Sequence, residues 1–195
     1  MAEKLTPGDL MSLERYARER PAMRQRVLAH KRNRQVAVGA NAMWLFEDRL
    51  TVQYQVQEML RAERIFEPEG IAEELEAYNP LIPDGSNWKV TLLIEFPDPA
   101  ERQRQLARLK GVEDACWVQV SGHAKVFAIA DEDLERENEE KTSSVHFLRF
   151  ELPPGMIASL RSGTALALGI DHIQYRHSID PVQPEVRAAL LTDLA

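Results

Sequence analysis

The chain has 195 residues, 44% of them apolar and 28% charged, and a formal net charge of −7. That length predicts one domain, spanning 1–195, large enough to bury a core without metal or disulfide. The longest apolar runs fall far short of the ~20 residues of a membrane-spanning helix, and the N-terminus lacks a secretory apolar region. The single cysteine, Cys116, excludes an intrachain disulfide and suits a reducing compartment, so a cytoplasmic protein is expected.

Charge is unevenly spread. Arg15 to Arg34 holds eight Arg or Lys against one acid, Glu19, while Asp131 to Glu140 holds seven acids and only Arg136. Residues 1–34 therefore read as a basic helical segment packed on an α+β core over 35–195. The acidic balance of the whole argues against nucleic-acid binding, and the basic stretch Arg24, Arg26, His30, Lys31, Arg32 and Arg34 has no interleaved aromatics for stacking.

Thr6-Pro7-Gly8-Asp9 reads as a helix start, with a second helix beginning at Pro21. Gln35–Val38 and Ala42–Phe46 read as short strands around Gly39. Asp48 can cap a helix from Leu50 to about Phe66, with Val52, Val56, Met59, Leu60 and Phe66 as its apolar stripe. A short acidic helix follows over Glu69–Ala77. Prolines brace the loop Tyr78–Asn87, which is expected to pack down. Val90, Leu92, Ile94 and Phe96 then alternate with more polar neighbours and predict a half-buried strand. A helix opens at Asp98-Pro99 and closes at Gly111. Strands over Ala115–Val120 and Lys125–Ala130 form a predicted hairpin. Ser144–Leu152 is a further strand, Pro153 to Gly163 brackets a helix, Ala165–Gly169 is a last short strand, and Pro184 starts a C-terminal helix. The expected class is α+β, with a mostly antiparallel sheet, an N-terminal helical region and a C-terminal helix.

No phosphate loop, dinucleotide fingerprint, HExxH, CxxC or nucleophile elbow is present, so no catalytic motif and no cofactor are identified. Besides the basic stretch, three clusters could carry chemistry. Tyr54, Glu58, Arg61 and Arg64 share one helix, and two helical arginines can clamp a carboxylate or phosphate. An intrahelical Glu58–Arg61 pair is the plainer reading. His146 lies on a strand whose faces are Ser144, His146, Leu148, Phe150 and Val145, Phe147, Arg149, Glu151; either inward face carries a polar group that needs a partner. These residues, with Asn87 at the end of the proline-braced loop, are the candidate lining of one anion pocket. Asp171, His172 and His177, close to Tyr175 in an expected loop, are weak metal candidates with no recognised ligand spacing. Cys116, among Trp117, Val118 and Val120, reads as a core thiol.

Four stretches together resemble a bacterial family, the domain of unknown function 3501: YQVQEMLRAERIF at Tyr54–Phe66, EELEAYNPLIPDGSN at Glu73–Asn87, EKTSSVHFLRFEL at Glu140–Leu152 and GIDHIQYRH at Gly169–His177. The resemblance carries no activity. It implies a gene neighbourhood of rubrerythrin-type di-iron proteins and an iron–sulfur protein. A non-catalytic accessory or partner protein in a redox or peroxide-stress setting is thus the first expectation, with such a di-iron or iron–sulfur protein as partner. The rivals are an enzyme or small-molecule binder with an Arg/His-lined anion pocket, and a nucleic-acid-binding regulator. Self-association into a homodimer stays open.

Overall fold

The computed structural model describes residues 3–195. In chain order its elements are α1 (Leu13–Lys31), β1 (Gln35–Ala37), β2 (Ala42–Glu47), α2 (Arg49–Glu63), α3 (Pro68–Tyr78), β3 (Asn87–Ile94), α4 (Pro99–Arg108), β4 (Cys116–Val120), β5 (Val126–Phe127), β6 (Ile129–Ala130), β7 (Val145–Glu151), α5 (Pro154–Arg161), β8 (Leu166–His172), β9 (Tyr175–Ile179) and α6 (Pro184–Leu191). The expected α+β class holds, with antiparallel ladders throughout.

The strands form two sheets, in the orders β1-β2-β3-β7-β6 and β5-β4-β8-β9. The alternation in β3 drives their packing. Trp88, Val90, Leu92 and Ile94 turn one way and join Trp44 and Phe46 of β2 and Leu148 and Phe150 of β7. Cys116, Val118 and Val120 of β4 and Leu166, Leu168 and Ile170 of β8 meet them from the smaller sheet, so both sheets close on one apolar core. Trp44 stacks on Phe150 at 5.4 Å between ring centres, and Phe46 sits edge-on to Trp88 at 5.9 Å. Each such side chain contributes about 1.5–3 kcal/mol of burial.

The opposite face of the larger sheet is covered by helices. Val52, Val56 and Leu60 of α2 pack with Leu75 of α3 and with Ile82. Helix α1 lies on α2 through Tyr16, Met23 and Val27 against Leu50 and Tyr54. Asp48 caps α2 as expected, accepting from Thr51 N.

Several expectations are corrected. Pro7–Asp9 is a single 3-10 turn, and one helix runs from Leu13 to Lys31 with Pro21 inside it. Pro21 is tolerated because it and Ala17, whose carbonyl loses its i+4 donor, both lie on the exposed side. The α2 stripe ends early: Arg64 takes a left-handed backbone at φ 56°, the chain turns, and Phe66 is 68% exposed. The predicted strand at 125–130 is shared between sheets. Val126–Phe127 pair with β4, whereas Ile129–Ala130 pair with β7. The segment after His172 is a strand, not a loop, reached by a two-residue turn in which His172 faces Tyr175.

Strand β9 also pins the larger sheet. Tyr175 Oη donates to the Val38 carbonyl at 2.7 Å and accepts from Asn41 N at 2.9 Å, clasping the β1–β2 turn. Gly39 in that turn has φ 76°, and a Cβ there would lie 2.5 Å from Tyr175 Oη.

Candidate functional site

β7 alternates between two environments, and each holds a candidate site. Its outward residues, with those of β3, face α2 and α3 across a cleft of about 370 Å³. Met59 of α2, Ala77 and Tyr78 of α3, Leu81 and Phe147 supply the apolar wall; Lys89, Arg149, Glu74 and the acidic segment's Glu132, Asp133 and Arg136 supply charge. A second cavity of about 290 Å³ on the same face shares Tyr78, Leu81 and Phe147.

Most of these charges are matched. Arg149 binds Glu132 through two bonds of 2.8 Å and Glu151 at 2.7 Å. Arg136 binds Asp133 at 2.5 and 2.7 Å, reaches Asp131 at 3.3 Å, and lies 4.6 Å over the Phe147 ring. Lys89 differs: among the described residues its ammonium has no ion-pair or hydrogen-bond partner. Burial, then the adjacent Arg149, hold it below the ordinary lysine range. Glu74 is the counterpart, with Oε2 buried and unbonded. Burial, then Glu63 and Glu73, push its carboxyl up.

The inward face of β7 holds His146, which is 0% exposed. Its Nδ1 lies 2.7 Å from Asp131 Oδ2, and its Nε2 lies 3.1 Å from both Thr142 Oγ1 and the Ser143 carbonyl. Glu113, from the turns after α4, places Oε2 3.8 Å from Nε2. Asp131 adopts φ 48°, a conformation uncommon for a non-glycine residue. From there its carboxylate meets His146, the Phe147 amide and Arg136 together. Among the described residues, Glu113, Asp131 and His146 form the one group of three His, Cys, Asp or Glu donors within 4.8 Å of one another.

The six residues expected to line one pocket do not meet. Glu58 is a clamp between helices: it accepts from Tyr16 Oη at 2.5 Å and from Arg20 at 2.7 and 2.8 Å. These bonds hold its carboxyl down at about 2, Arg20 contributing most. Tyr54 packs in the same α1–α2 contact. Arg61 reaches Glu58 only at 3.5 Å with its side chain 45% exposed, and Arg64 is exposed at the helix end. Asn87 is buried, donating to Glu151 at 3.2 Å. His146 pairs with Leu92, five positions along β3 from Asn87. With Leu92 turned into the core, an odd number of positions puts Asn87 on the other sheet face. The single Arg61–Arg64–Asn87–His146 pocket is therefore withdrawn.

The weak metal candidates separate as well. Asp171 binds Lys125 at 2.6 Å, His172 Nε2 donates to the Lys110 carbonyl at 3.0 Å, and the His177 ring lies tilted against Tyr175, 4.6 Å between centres. Cys116 is buried, donates to the Val112 carbonyl at 3.3 Å, and is pushed up by burial. Arg34, the last residue of the basic segment, is 1% exposed. It donates to the Phe46, Glu47 and Ala189 carbonyls and to the Asp193 carboxylate, joining α1, β2 and α6.

Sequence reasoning missed Lys89, Glu74, Glu113 and Asp131. The strand pattern did carry a signal, since each face of Ser144–Leu152 held a polar group needing a partner. The partners lay 15 to 33 residues away, in an acidic segment and a turn that have no local pattern.

No described helix is long and apolar enough to cross a membrane. No curated protein matches the chain. A crystal structure of a novel protein of unknown function from Burkholderia pseudomallei K96243 is similar, at 49% identity over 99% of this chain and 100% of that one, with a TM-score of 0.94. Residues 4–194 match the family described as protein of unknown function (DUF3501). With nearly its whole length matched, the chain belongs to the DUF3501 family.

Proposed function

We propose that the chain binds a small amphipathic carboxylate in the cleft between β3–β7 and α2–α3. The observation that carries this reading is Lys89, a half-buried ammonium without a hydrogen-bond or ion-pair partner among the described residues, beside an apolar wall of Met59, Leu81 and Phe147. Burial of a charge costs free energy unless a counter-charge meets it. A ligand carboxylate supplies that charge, and its hydrocarbon part covers the wall. The cleft volume lies at the lower end of the roughly 300–1,000 Å³ typical of small-molecule sites. This reading is preferred to an accessory role beside a di-iron or iron–sulfur protein because named residues support it, whereas the accessory role has only the family resemblance behind it.

Octanoate and octanol separate the charge from the chain. Octanoate is expected to bind more tightly than octanol, shifting the amide resonances of Leu81 and Phe147. Lys89→Met, close in volume and uncharged, is expected to weaken octanoate by about tenfold or more, one charge-assisted bond contributing about 1.5–3 kcal/mol, and to leave octanol unchanged. Octanoate binding indifferent to Lys89→Met, or no shift at Leu81 and Phe147, refutes the reading.

A further inference from the structure

The inward side of β7 presents a different problem in charge. Asp131 accepts from the Phe147 amide and from Arg136, which marks it as an ionised carboxylate, so His146 Nδ1 carries the proton between them. That leaves Nε2 facing the Ser143 carbonyl oxygen, which can only accept, and Thr142 Oγ1, which can give one proton. Beyond them lies Glu113 Oε2, in a residue only 9% exposed, buried and without a hydrogen-bond partner among the described residues. Converging lone pairs in a buried space repel unless a cation sits among them.

Two cations can do this, and the distances distinguish them. A proton on Nε2 satisfies the Ser143 carbonyl at 3.1 Å but leaves Glu113 Oε2, at 3.8 Å, beyond hydrogen-bond reach. A metal ion bridges both, because two bonds of about 2.0–2.2 Å span separations up to about 4.2 Å. The 3.1 Å separations to Thr142 Oγ1 and the Ser143 carbonyl are also of the size found between neighbouring ligands of one ion.

We propose that His146 Nε2, Glu113 Oε2 and the Ser143 carbonyl bind a divalent first-row transition-metal ion, with Thr142 Oγ1 as fourth donor. Asp131 is the outer carboxylate that fixes the imidazole, an arrangement common behind metal-bound histidines. A nitrogen and oxygen donor set of this kind suits Zn²⁺, Mn²⁺ or Fe²⁺, and thiolate plays no part, since Cys116 is bonded to Val112. Glu113 and Asp131 place negative charge around the ion, Asp131 sharing its own with Arg136. The seven acids of Asp131–Glu140 give the approach to the site a negative potential. The proposal is independent of the carboxylate cleft, which lies on the other face of the sheet.

Chelator-treated full-length protein titrated with Co²⁺ and with Zn²⁺ tests it. One equivalent of Co²⁺ is expected to give visible ligand-field absorption. It should also give a single hyperfine-shifted, exchangeable imidazole N–H proton from His146 Nδ1. Zn²⁺ is expected to raise the melting temperature. Glu113→Gln is expected to fold and to weaken Zn²⁺ by more than about tenfold, while His172→Ala binds as wild type. Failure of wild-type protein to give the shifted N–H proton or a Zn²⁺-dependent melting shift overturns the proposal, whatever the variants do. So does Zn²⁺ binding that Glu113→Gln leaves intact. In either case a proton alone occupies the position.

Discussion

The clamp between α1 and α2 makes a prediction whose size depends on pH. Glu58 takes two bonds from Arg20 and one from Tyr16, and its carboxyl is held at about 2 against an ordinary 4.5, with Arg20 first among the causes. At about 1.36 kcal/mol per pH unit that depression corresponds to at most about 3.4 kcal/mol. The Arg20 side chain is 35% exposed, so solvent screening brings the expected contribution to about 1–2 kcal/mol. A carboxyl depressed in the folded state stabilises fully above its unfolded value and loses that contribution as pH falls through its folded value. Glu58→Gln keeps an acceptor for Tyr16 and removes the charge. Urea unfolding of both proteins at pH 7, 5, 4 and 3 is expected to show a gap of about 1–2 kcal/mol at pH 7 that narrows steadily below about pH 4.5. Glu58→Ala is expected to cost about 1–3 kcal/mol more, because the Tyr16 hydroxyl, in a residue 0% exposed, loses its acceptor. A gap that is as large at pH 3 as at pH 7 refutes the assignment of Glu58 as the charged centre of the clamp.

Three further outcomes follow from the geometry. Arg61→Ala is expected to change stability by less than about 0.5 kcal/mol in thermal melts, since its pair with Glu58 is long and exposed; a loss above about 1 kcal/mol contradicts this. Arg34→Lys is expected to destabilise by about 2–4 kcal/mol in urea titrations, because an ammonium cannot reach three carbonyls and Asp193 from one buried position; a near-neutral result refutes the network's importance. Gly39→Ala is expected to cost about 2 kcal/mol or more, combining strain at φ 76° with a contact on Tyr175 and His177; unchanged melting counts against the clasp.

The parts legible in the sequence were those written at short range. The alternation of Val90, Leu92, Ile94 and Phe96 marked β3 and its buried face, although the strand ends at Ile94 and Phe96 lies beyond it, partly buried against the same core, and Asp48 marked the start of α2. Both signals lie within a few residues of what they specify. Strand β9 was missed because its turn, Ile173-Gln174, has none of the Gly or Asn chemistry that usually announces a two-residue hairpin. The second sheet was missed because one predicted strand changes sheets at Ala128, and no residue there signals the change. The helical arginines misled for a related reason. Spacing placed Glu58 and Arg61 on one helix, but the stronger partner, Arg20, comes from 38 residues away. The two sites were half legible: the strand pattern gave both faces of β7, and the partners of each face depended on where a patternless acidic segment folds back.

That segment has a mechanical consequence. Arg136 holds Asp131 while its guanidinium covers Phe147, so one stretch of chain from Asp131 to Arg136 furnishes the wall of the cleft on one side of the sheet and the histidine's carboxylate on the other. Whatever immobilises the stretch from either side removes conformational freedom that binding on the far side would otherwise have to remove. Occupants of the two sites are therefore expected to favour one another, and by the same factor in each direction. In practice, Zn²⁺-loaded protein should hold octanoate more tightly than chelator-treated protein, and the sheet acts as a shared wall through which two chambers communicate.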